Sequence, residues 1–381
     1  MPPRANRFRR ATAVVVYWQQ DRIVLENYFT GNRITANAMA VVLLDFFKDW
    51  RTLSEFRAAF GRYNRADLTL ALRQLLKRRL LVREDSAEAM IDARIKKVWS
   101  PWLPAAGMLQ FGTRHARYDS NLNAAWRRFR NRAKQQPLPR PVKHHVGAQQ
   151  ISLPPPKKSG ALPEVLLARR TWRRFSKASI RLQDLSTLLG LTWGVQRWVK
   201  FPGIGRLALK TSPSAGARHP IEAYVLVIDV KGLPSGLYHY AADTHRLERL
   251  KSHATSHDLV DFVGNQWWYA PAGALILMTA VFSRNQWKYQ DPAAYRTVMI
   301  DAGHVCQTFC LVATWLGLAP FCTMAFDQAL VERELGIDGL EESLVYAAGV
   351  GTPPRGVDWA PWPRPRAWAQ MTKNRGHLAE R

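Results

Sequence analysis

Cysteine is scarce in this sequence, and all of it lies in one short region. The 381 residues contain only three cysteines, Cys306, Cys310 and Cys322. Secreted scaffolds that depend on disulfides space their cysteines along the whole chain. The distribution therefore argues against an extracellular disulfide framework and favours a reducing cytosol.

Long hydrophobic runs are also missing. The longest uncharged apolar stretch, Ala270–Phe282, is well short of the ~20 residues that a spanning helix needs. Near the N-terminus, basic residues precede an apolar run, but that run ends at once in the polar residues Gln19 to Arg22, which is unlike a signal peptide. We therefore expect a soluble, cytoplasmic protein without a membrane segment.

Acidic residues are few relative to basic ones. The 55 Lys and Arg residues against 29 Asp and Glu give a formal net charge of +26. Such a surplus favours an acidic partner, such as nucleic acid, anionic lipid, a phosphorylated cofactor or an acidic peptide. Much of it lies in Arg114–Lys158, where Asp119 is the one acidic residue. This segment either recruits an acidic peptide or another acidic partner, or only keeps the protein soluble.

The N-terminal part has the pattern of a small hairpin followed by three helices. The β-prone runs Ala13–Tyr17 and Ile23–Tyr28 predict the hairpin. Thr35 is the predicted cap of a first helix that runs to Phe47, and Thr52–Glu55 has the form of a capping box for the second helix. This order indicates a winged-helix-like domain over residues 1–95.

A winged helix raises the question of DNA binding. Lys77, Arg78 and Arg79 follow the third predicted helix and would supply phosphate contacts. Cations at a helix end also complement its dipole, and the leucine-rich third helix lacks the polar side chains that base recognition requires. We therefore interpret them as a solvated helix end, while peptide binding by strand addition at the edge of the module stays open.

Beyond residue 95 the composition changes twice. Residues 96–160 form an aromatic and basic connector that ends in a Pro-rich linker, and residues 366–381 form a polar tail. Residues 161–365 alternate predicted helices and strands, which indicates an α+β domain. The neighbours His144 and His145 lie on the linker without further ligands at fixed spacing, so we predict no metal there.

Three segments of the C-terminal domain have the composition of ligand-binding loops. Arg169–Arg173 clusters guanidinium groups with a hydroxyl, which suits a phosphate. Thr211–Pro220 is rich in small residues and proline, which lets backbone amides approach a planar ligand. Gly349–Arg355 places glycines before another arginine. None of them is a GxGxxG motif or a P-loop, so a Rossmann or Walker nucleotide site is not indicated.

The stretch Ser283–Leu318 carries adjacent titratable side chains ahead of a core helix. Lys288 and Tyr289 precede an apolar periodicity that starts at Val298 and ends before Gly317. Cys306 and Cys310 share a face of this helix, and with His304 they have the residue types of a metal site. Because buried free cysteine behaves as a small hydrophobe, we interpret them as core and predict no metal.

Together, in this order, these segments resemble the FMN-dependent nitroreductase superfamily. RRTWRRF is similar to the family's RRSxRxF phosphate motif, with Thr171 in place of serine, and PSAGARHP is similar to its PSxGxxHP flavin segment. WKY, then YR, then DAGHxxQ ahead of a long helix resembles the SagB-type dehydrogenases. The resemblance covers Leu162–Arg355, and the winged-helix-like module upstream agrees with that subgroup.

The resemblance implies an α+β fold with a mixed sheet flanked by helices, paired as an intertwined homodimer with FMN at each interface. Arg169, Arg170, Thr171 and Arg173 are then the phosphate ligands, together with Arg355. Pro213, Ser214 and Gly216 are the residues near the isoalloxazine ring.

It also implies a reaction: oxidation of thiazoline or oxazoline rings to thiazoles or oxazoles in a ribosomally made peptide, alongside a cyclodehydratase. Lys288 and Tyr289 match the subgroup's catalytic pair. A lysine acts as a base when its pKa is lowered, as beside bound flavin and Trp287, and Tyr289 would orient the substrate or relay the proton. The sequence departs from the subgroup at two places. The subgroup often has an arginine where this chain has Ala293 and Ala294, and it has a histidine in the segment that here reads Gln110-Phe111.

Two other functions remain open from the sequence. One is a different flavin reaction, such as reduction of a nitro group or another peptide oxidation. The other is a peptide- or nucleic-acid-binding adaptor that has kept the fold and lost turnover, against which the presence of Lys288 and Tyr289 argues.

Overall fold

The computed structural model describes residues 6–114, 159–201 and 205–356, with positions 124, 127, 130, 131, 134 and 135 between them. Most of the basic connector, His144-His145 and the tail from residue 366 lie outside the described residues. The chain divides into two compact units. Unit 1 comprises Met1–Ala116, Val281–Met299 and Gly336–Ser343, and unit 2 comprises Arg117–Ala280, Ile300–Leu335 and Leu344–Arg381.

Unit 1 contains two small antiparallel sheets and a set of short helices. One sheet has the order β5-β1-β6, and the other is the meander β2-β3-β4. The strands are β1 (Arg7–Arg10), β2 (Val14–Gln19), β3 (Arg22–Asn27), β4 (Asn32–Ala36), β5 (Arg51–Thr52) and β6 (Leu81–Arg83). The helices up to Gly112 are α1 (Ala38–Phe46), α2 (Leu53–Ala59), α3 (Arg65–Lys77), α4 (Ala87–Trp99) and α5 (Ala105–Gly112).

Local sequence signals determine most helix starts in unit 1. Thr52 and Glu55 form the predicted capping box at the start of α2. The predicted cap of α1 was wrong: Thr35 lies in β4, and the Asn37 side chain accepts the amide of Ala40 instead. The hairpin and the three helices are confirmed, whereas the winged-helix assignment stays a prediction.

Unit 2 is built on a six-stranded sheet with the order β13-β12-β10-β14-β16-β15. Its strands are β10 (Ile221–Val227), β12 (Gly236–Ala241), β13 (Arg246–Ser252), β14 (Ala274–Val281), β15 (Ala319–Thr323) and β16 (Glu342–Gly351). The smaller pairs are β7 (Ile180–Arg181) with β11 (Val230–Lys231) and β8 (Arg197–Phe201) with β9 (Gly205–Leu209), a hairpin that the sequence pattern had not indicated.

Helices and a buried central strand complete this unit. The helices are α6 (Ala161–Ala168), α7 (Leu182–Thr192), α8 (Ser256–Phe262), α9 (Phe282–Gln286, counted with unit 1), α10 (Tyr295–Trp315, counted with unit 1 up to Met299) and α11 (Gln328–Leu335). Every residue of β14 from Ala274 to Ala280 is buried, as expected for a strand covered on both faces. The predicted α+β architecture is confirmed.

The long helix α10 also follows the sequence prediction. Its apolar stripe is buried, and Gly317, with φ of +71°, ends it in the left-handed conformation that glycine adopts without strain. Among the helices of the described residues, none combines the length and the hydropathy that a membrane-crossing helix requires.

Candidate functional site

The predicted phosphate segment follows α6 in unit 2 as extended chain. The backbone amide of Trp172 donates to the carbonyl of Pro320 on β15 at 2.9 Å, and the Trp172 ring is buried. Arg170 donates from one nitrogen to the carbonyls of Leu167 and Arg169, at 2.7 and 2.8 Å. In this structure Arg170 therefore caps the end of α6, which is a role that sequence reasoning had not assigned to it.

Arg173 lies against an aromatic wall. Its guanidinium interacts with Tyr269, whose ring stacks on Phe321 with centroids 3.7 Å apart. Burial raises the pKa of Tyr269, while hydrogen bonds from Trp268 and Arg173 oppose that shift. Arg173 is half-buried, whereas the adjacent Arg174 is exposed. A half-buried guanidinium supported by rings suits an anionic group better than a fully solvated one does.

The segment Gly349–Arg355 meets the phosphate segment. The amide of Ser176 donates to the carbonyl of Thr352 at 2.8 Å. A Cβ on Gly351 would lie 2.5 Å from the ring of Phe175, and a Cβ on Gly349 would lie 2.2 Å from the ring of Phe321. These glycines therefore make room for aromatic rings of the core, and their presence is no sign of a ligand.

Two polar features remain at this end of β16. Arg355 is exposed in the turn that follows the strand. The hydroxyl of Thr352 is buried and has no hydrogen-bond partner among the described residues. The structure thus brings two of the three predicted segments together and leaves a buried hydroxyl at their junction.

The predicted flavin segment docks on one face of α10, also in unit 2. Ser212 shares a hydrogen bond of 2.6 Å with Thr308, and the carbonyl of Pro213 lies 3.3 Å from Nδ1 of His304. Ser214 donates to Oδ2 of Asp301 at 2.6 Å. Asp301, His304 and Thr308 recur at helical spacing, so they form a single contact face for the loop.

Asp301 is the main anchor of this loop, and sequence reasoning missed it. Its second oxygen accepts the amide of Ala215 at 3.4 Å, and Ser214 in turn accepts the amide of His219 at 2.8 Å. Burial raises the pKa of Asp301, and the hydrogen bonds from Ser214 and Ala215 oppose the shift. These bonds hold a backbone in which Gly216 has a φ of +61°, a conformation that favours glycine.

A cleft of about 270 Å³ opens beside the flavin segment. Its lining includes Ser212, Pro213, Ser214 and Asp301 from the segment and its anchor, and Thr192 and Trp193 from α7 and the residue after it. Thr192 Oγ1 and Trp193 Nε1 are buried without a hydrogen-bond partner among the described residues. Buried polar atoms normally have partners, so a ligand with polar ring edges fits this lining.

Lys288 and Tyr289 lie in unit 1, after Trp287, the C-cap of α9. The amides of both residues donate to the carbonyl of Asn285, at 3.1 and 2.8 Å, and Nε1 of the buried Trp102 donates to the carbonyl of Tyr289 at 3.1 Å. Nζ of Lys288 lies 5.3 Å from the centroid of the Tyr289 ring. Lys288 is exposed, so unit 1 does not supply the desolvation that was expected for its amine.

A buried polar network supports the same part of unit 1. The Tyr295 hydroxyl donates to Oε1 of Gln110, and Nε2 of Gln110 donates to Ser343 Oγ at 2.8 Å. Asn285 donates to Thr297 at 3.0 Å. Gln110 stands where the resembled subgroup was expected to carry a histidine, and here it has a structural role because both ends of its amide are satisfied.

Comparison with known proteins agrees with the fold. The model of the nitroreductase family matches residues 166–352. A protein of Methanocaldococcus jannaschii that carries the name nitroreductase MJ1384 is 33% identical over 165 residues, which cover 43% of this chain and 79% of that protein. This chain belongs to the nitroreductase family. Its architecture is nitroreductase-like, as predicted, and FMN is the cofactor of this family of oxidoreductases.

Other similar proteins match a smaller share of their length. The trifolitoxin-processing proteins TfxB and TfxF of Rhizobium leguminosarum bv. trifolii are 31% and 33% identical, over 44% and 37% of this chain and 46% of each of them. Among solved structures, a protein of Anabaena variabilis that is described as a nitroreductase is 26% identical to this chain, with a TM-score of 0.44. The match covers 51% of this chain and 38% of that protein chain. A chain of the E. coli microcin synthetase McbBCD complex is 16% identical, with a TM-score of 0.44. That match covers 62% of this chain and 95% of the microcin synthetase chain.

The residues of unit 2 fit FMN as a family cofactor. The half-buried Arg169, Thr171 and Arg173 offer cationic and hydroxyl groups for its phosphate, and the unpartnered atoms of Thr192 and Trp193 offer hydrogen bonds to its ring edges. The predicted cofactor residues thus all lie in unit 2, whereas the predicted catalytic pair lies in unit 1.

Replacing Asp301 by alanine removes the hydrogen bonds that Ser214 and Ala215 donate to its carboxylate. Each bond contributes about 0.5–1.5 kcal/mol, so FMN binding is expected to weaken by roughly tenfold. Asparagine at 301 keeps an acceptor oxygen and is expected to retain near wild-type affinity. Fluorescence titration of free FMN with each apoprotein measures this difference. A wild-type dissociation constant for Asp301→Ala would show that the anchor does not position the flavin segment.

Proposed function

We propose that this chain is an FMN-dependent dehydrogenase that oxidises thiazoline or oxazoline rings to thiazoles or oxazoles in a ribosomally made, modified peptide. The observation that carries the proposal is the Lys288-Tyr289 pair, which is held at the end of α9 by backbone hydrogen bonds from both residues and by Trp102. The similarity to two proteins named for trifolitoxin processing supports a peptide substrate.

The cofactor residues have separate tasks in this proposal. FMN, when bound, supplies the acceptor for the hydride that leaves the azoline ring. Arg169, Thr171 and Arg173 bind its phosphate, while Arg170 holds the end of α6 and Arg355 adds a cation after β16. Pro213, Ser214 and Gly216 orient its ring, since Asp301 fixes their backbone.

The catalytic pair handles the proton. Lys288, as the free amine, takes the proton from the ring carbon, and loss of that proton and a hydride turns the azoline into an azole. The Lys288 amine lies over the Tyr289 ring, so Tyr289 positions the base and orients the substrate. Because Lys288 is exposed in unit 1, we propose that the bound substrate supplies the desolvation that a lysine base needs.

We further propose that the protein acts as a homodimer and works with a precursor peptide and a cyclodehydratase. The resemblance to the FMN-dependent family supports the homodimer, in which a second copy would enclose the cleft beside the flavin segment. The winged-helix-like domain over residues 1–95 and the basic connector are proposed leader-peptide contacts. Neutralising the connector arginines should then raise the KM for a leader-bearing substrate.

Mass spectrometry tests the proposed function directly. Full-length protein reconstituted with FMN is incubated in air with peptides that contain a single thiazoline or oxazoline, and loss of two hydrogens is the expected product. The matched control is the same peptide with the ring already oxidised. An FMN-loaded protein that leaves azolines unchanged but reduces a nitroaromatic compound would favour a different oxidoreductase, and a protein that does not take up FMN would favour an adaptor.

A further inference from the structure

The three cysteines of the chain come together in unit 2, away from the loop face of α10. Cys306 and Cys310 lie one turn apart on α10, and Cys322 lies on β15. Their sulfur atoms are all within 4.8 Å of one another. Cys306 and Cys310 are buried and Cys322 is half-buried. All the thiols in the sequence therefore form one cluster.

The spacing of the sulfurs is close to that of a metal site. Metal–thiolate bonds of ~2.3 Å place the sulfurs of a shared ion roughly 4 Å apart. The observed sulfur–sulfur distances therefore exceed the spacing around a shared ion by less than about 1 Å. Packing alone explains one buried free cysteine as a small hydrophobe, but it does not require three thiols to converge.

The ligand set determines which ion fits. Among the described residues, this cluster has no histidine, aspartate or glutamate as a fourth member. His304, two residues before Cys306, contacts the carbonyl of Pro213 instead. Structural Zn²⁺ is almost always held by four ligands, whereas soft thiolates select Cu(I). A set of three sulfurs therefore favours Cu(I).

The cluster joins two elements of unit 2, since Cys306 and Cys310 belong to α10 and Cys322 belongs to β15. The bound ion would tie α10 to β15, the strand whose Pro320 carbonyl accepts the Trp172 amide.

We propose that Cys306, Cys310 and Cys322 form a three-coordinate binding site for Cu(I). The site is independent of the proposed azoline oxidation, since none of its sulfurs belongs to the flavin segment or the Lys288-Tyr289 pair.

Competition with a chromophoric Cu(I) chelator tests the site. The full-length protein is reduced under anaerobic conditions and titrated with Cu(I) in the presence of bicinchoninate. We expect one Cu(I) per chain to be withheld from the chelator, and we expect Cys322→Ala to lose it. His304→Ala is the matched control and should retain it, because His304 lies on the loop face of α10, where it contacts the carbonyl of Pro213.

A second measurement keeps the test independent of folding. In the wild-type protein, Cu(I) should slow alkylation of all three thiols and raise the unfolding temperature, because the assembled cluster of the folded state binds the ion more tightly than the separated thiols of the unfolded chain. No copper withheld from the chelator, retention of one copper by Cys322→Ala, or stoichiometric Zn²⁺ in place of Cu(I) would each overturn the proposal.

Discussion

Lys288→Ala protein is expected to oxidise azoline peptides ~10²–10⁴-fold more slowly than wild type, because removal of a positioned general base costs a factor of that size. FMN content should be unchanged, because Lys288 is not one of the residues proposed to hold the cofactor. The rate is measured by mass spectrometry of the product, and the flavin is measured by absorbance after denaturation. A single-turnover experiment separates proton removal from product release.

The neighbouring residues supply the controls for this experiment. Gln290, which is exposed and follows the pair, should tolerate alanine without loss of rate. Tyr289→Phe keeps the ring below the amine and removes the hydroxyl, so it reports whether Tyr289 relays a proton. A Lys288→Ala protein that retains the wild-type rate with full FMN occupancy would show that Lys288 is not the base, and it would leave the flavin fold untouched.

Arg173→Ala is expected to raise the dissociation constant of FMN by ~10- to 100-fold, because a hydrogen bond to a charged group contributes about 1.5–3 kcal/mol. Riboflavin, which lacks the phosphate, should bind the variant and the wild type equally. Fluorescence titration of both flavins against each apoprotein measures the two effects. The comparison assigns the loss to the phosphate and not to the ring.

Arg174→Ala is the matched control, since Arg174 is exposed and its loss removes an equal charge one residue away. Arg173→Lys should give an intermediate affinity because an ammonium keeps the charge without the planar fork. Arg173 also interacts with Tyr269, so the unfolding temperature of each variant has to be compared. A similar loss of riboflavin and FMN binding would show that Arg173 supports the aromatic wall and does not bind the phosphate.

The sequence alone determined the features that depend on neighbours along the chain. The capping box of Thr52 and Glu55 was predictable, and so was the apolar periodicity of α10 with Gly317 after it, because each depends on residues close together in the chain. The motif RRTWRRF likewise pointed to the family that the comparisons show. The wrong cap at Thr35 also arose within a few residues, because Asn37, two positions later, is a suitable cap as well.

Tertiary structure alone decided the features that join distant parts of the chain. Asp301 anchors a loop that precedes it by 87 residues, Trp102 holds the carbonyl of Tyr289 across 187 residues, and Cys322 meets the cysteines of α10. The role of Gly349 is visible only once the ring of Phe321 is packed against it. Sequence patterns record which face of an element is buried, whereas the partner on that face depends on how the sheet and helices pack.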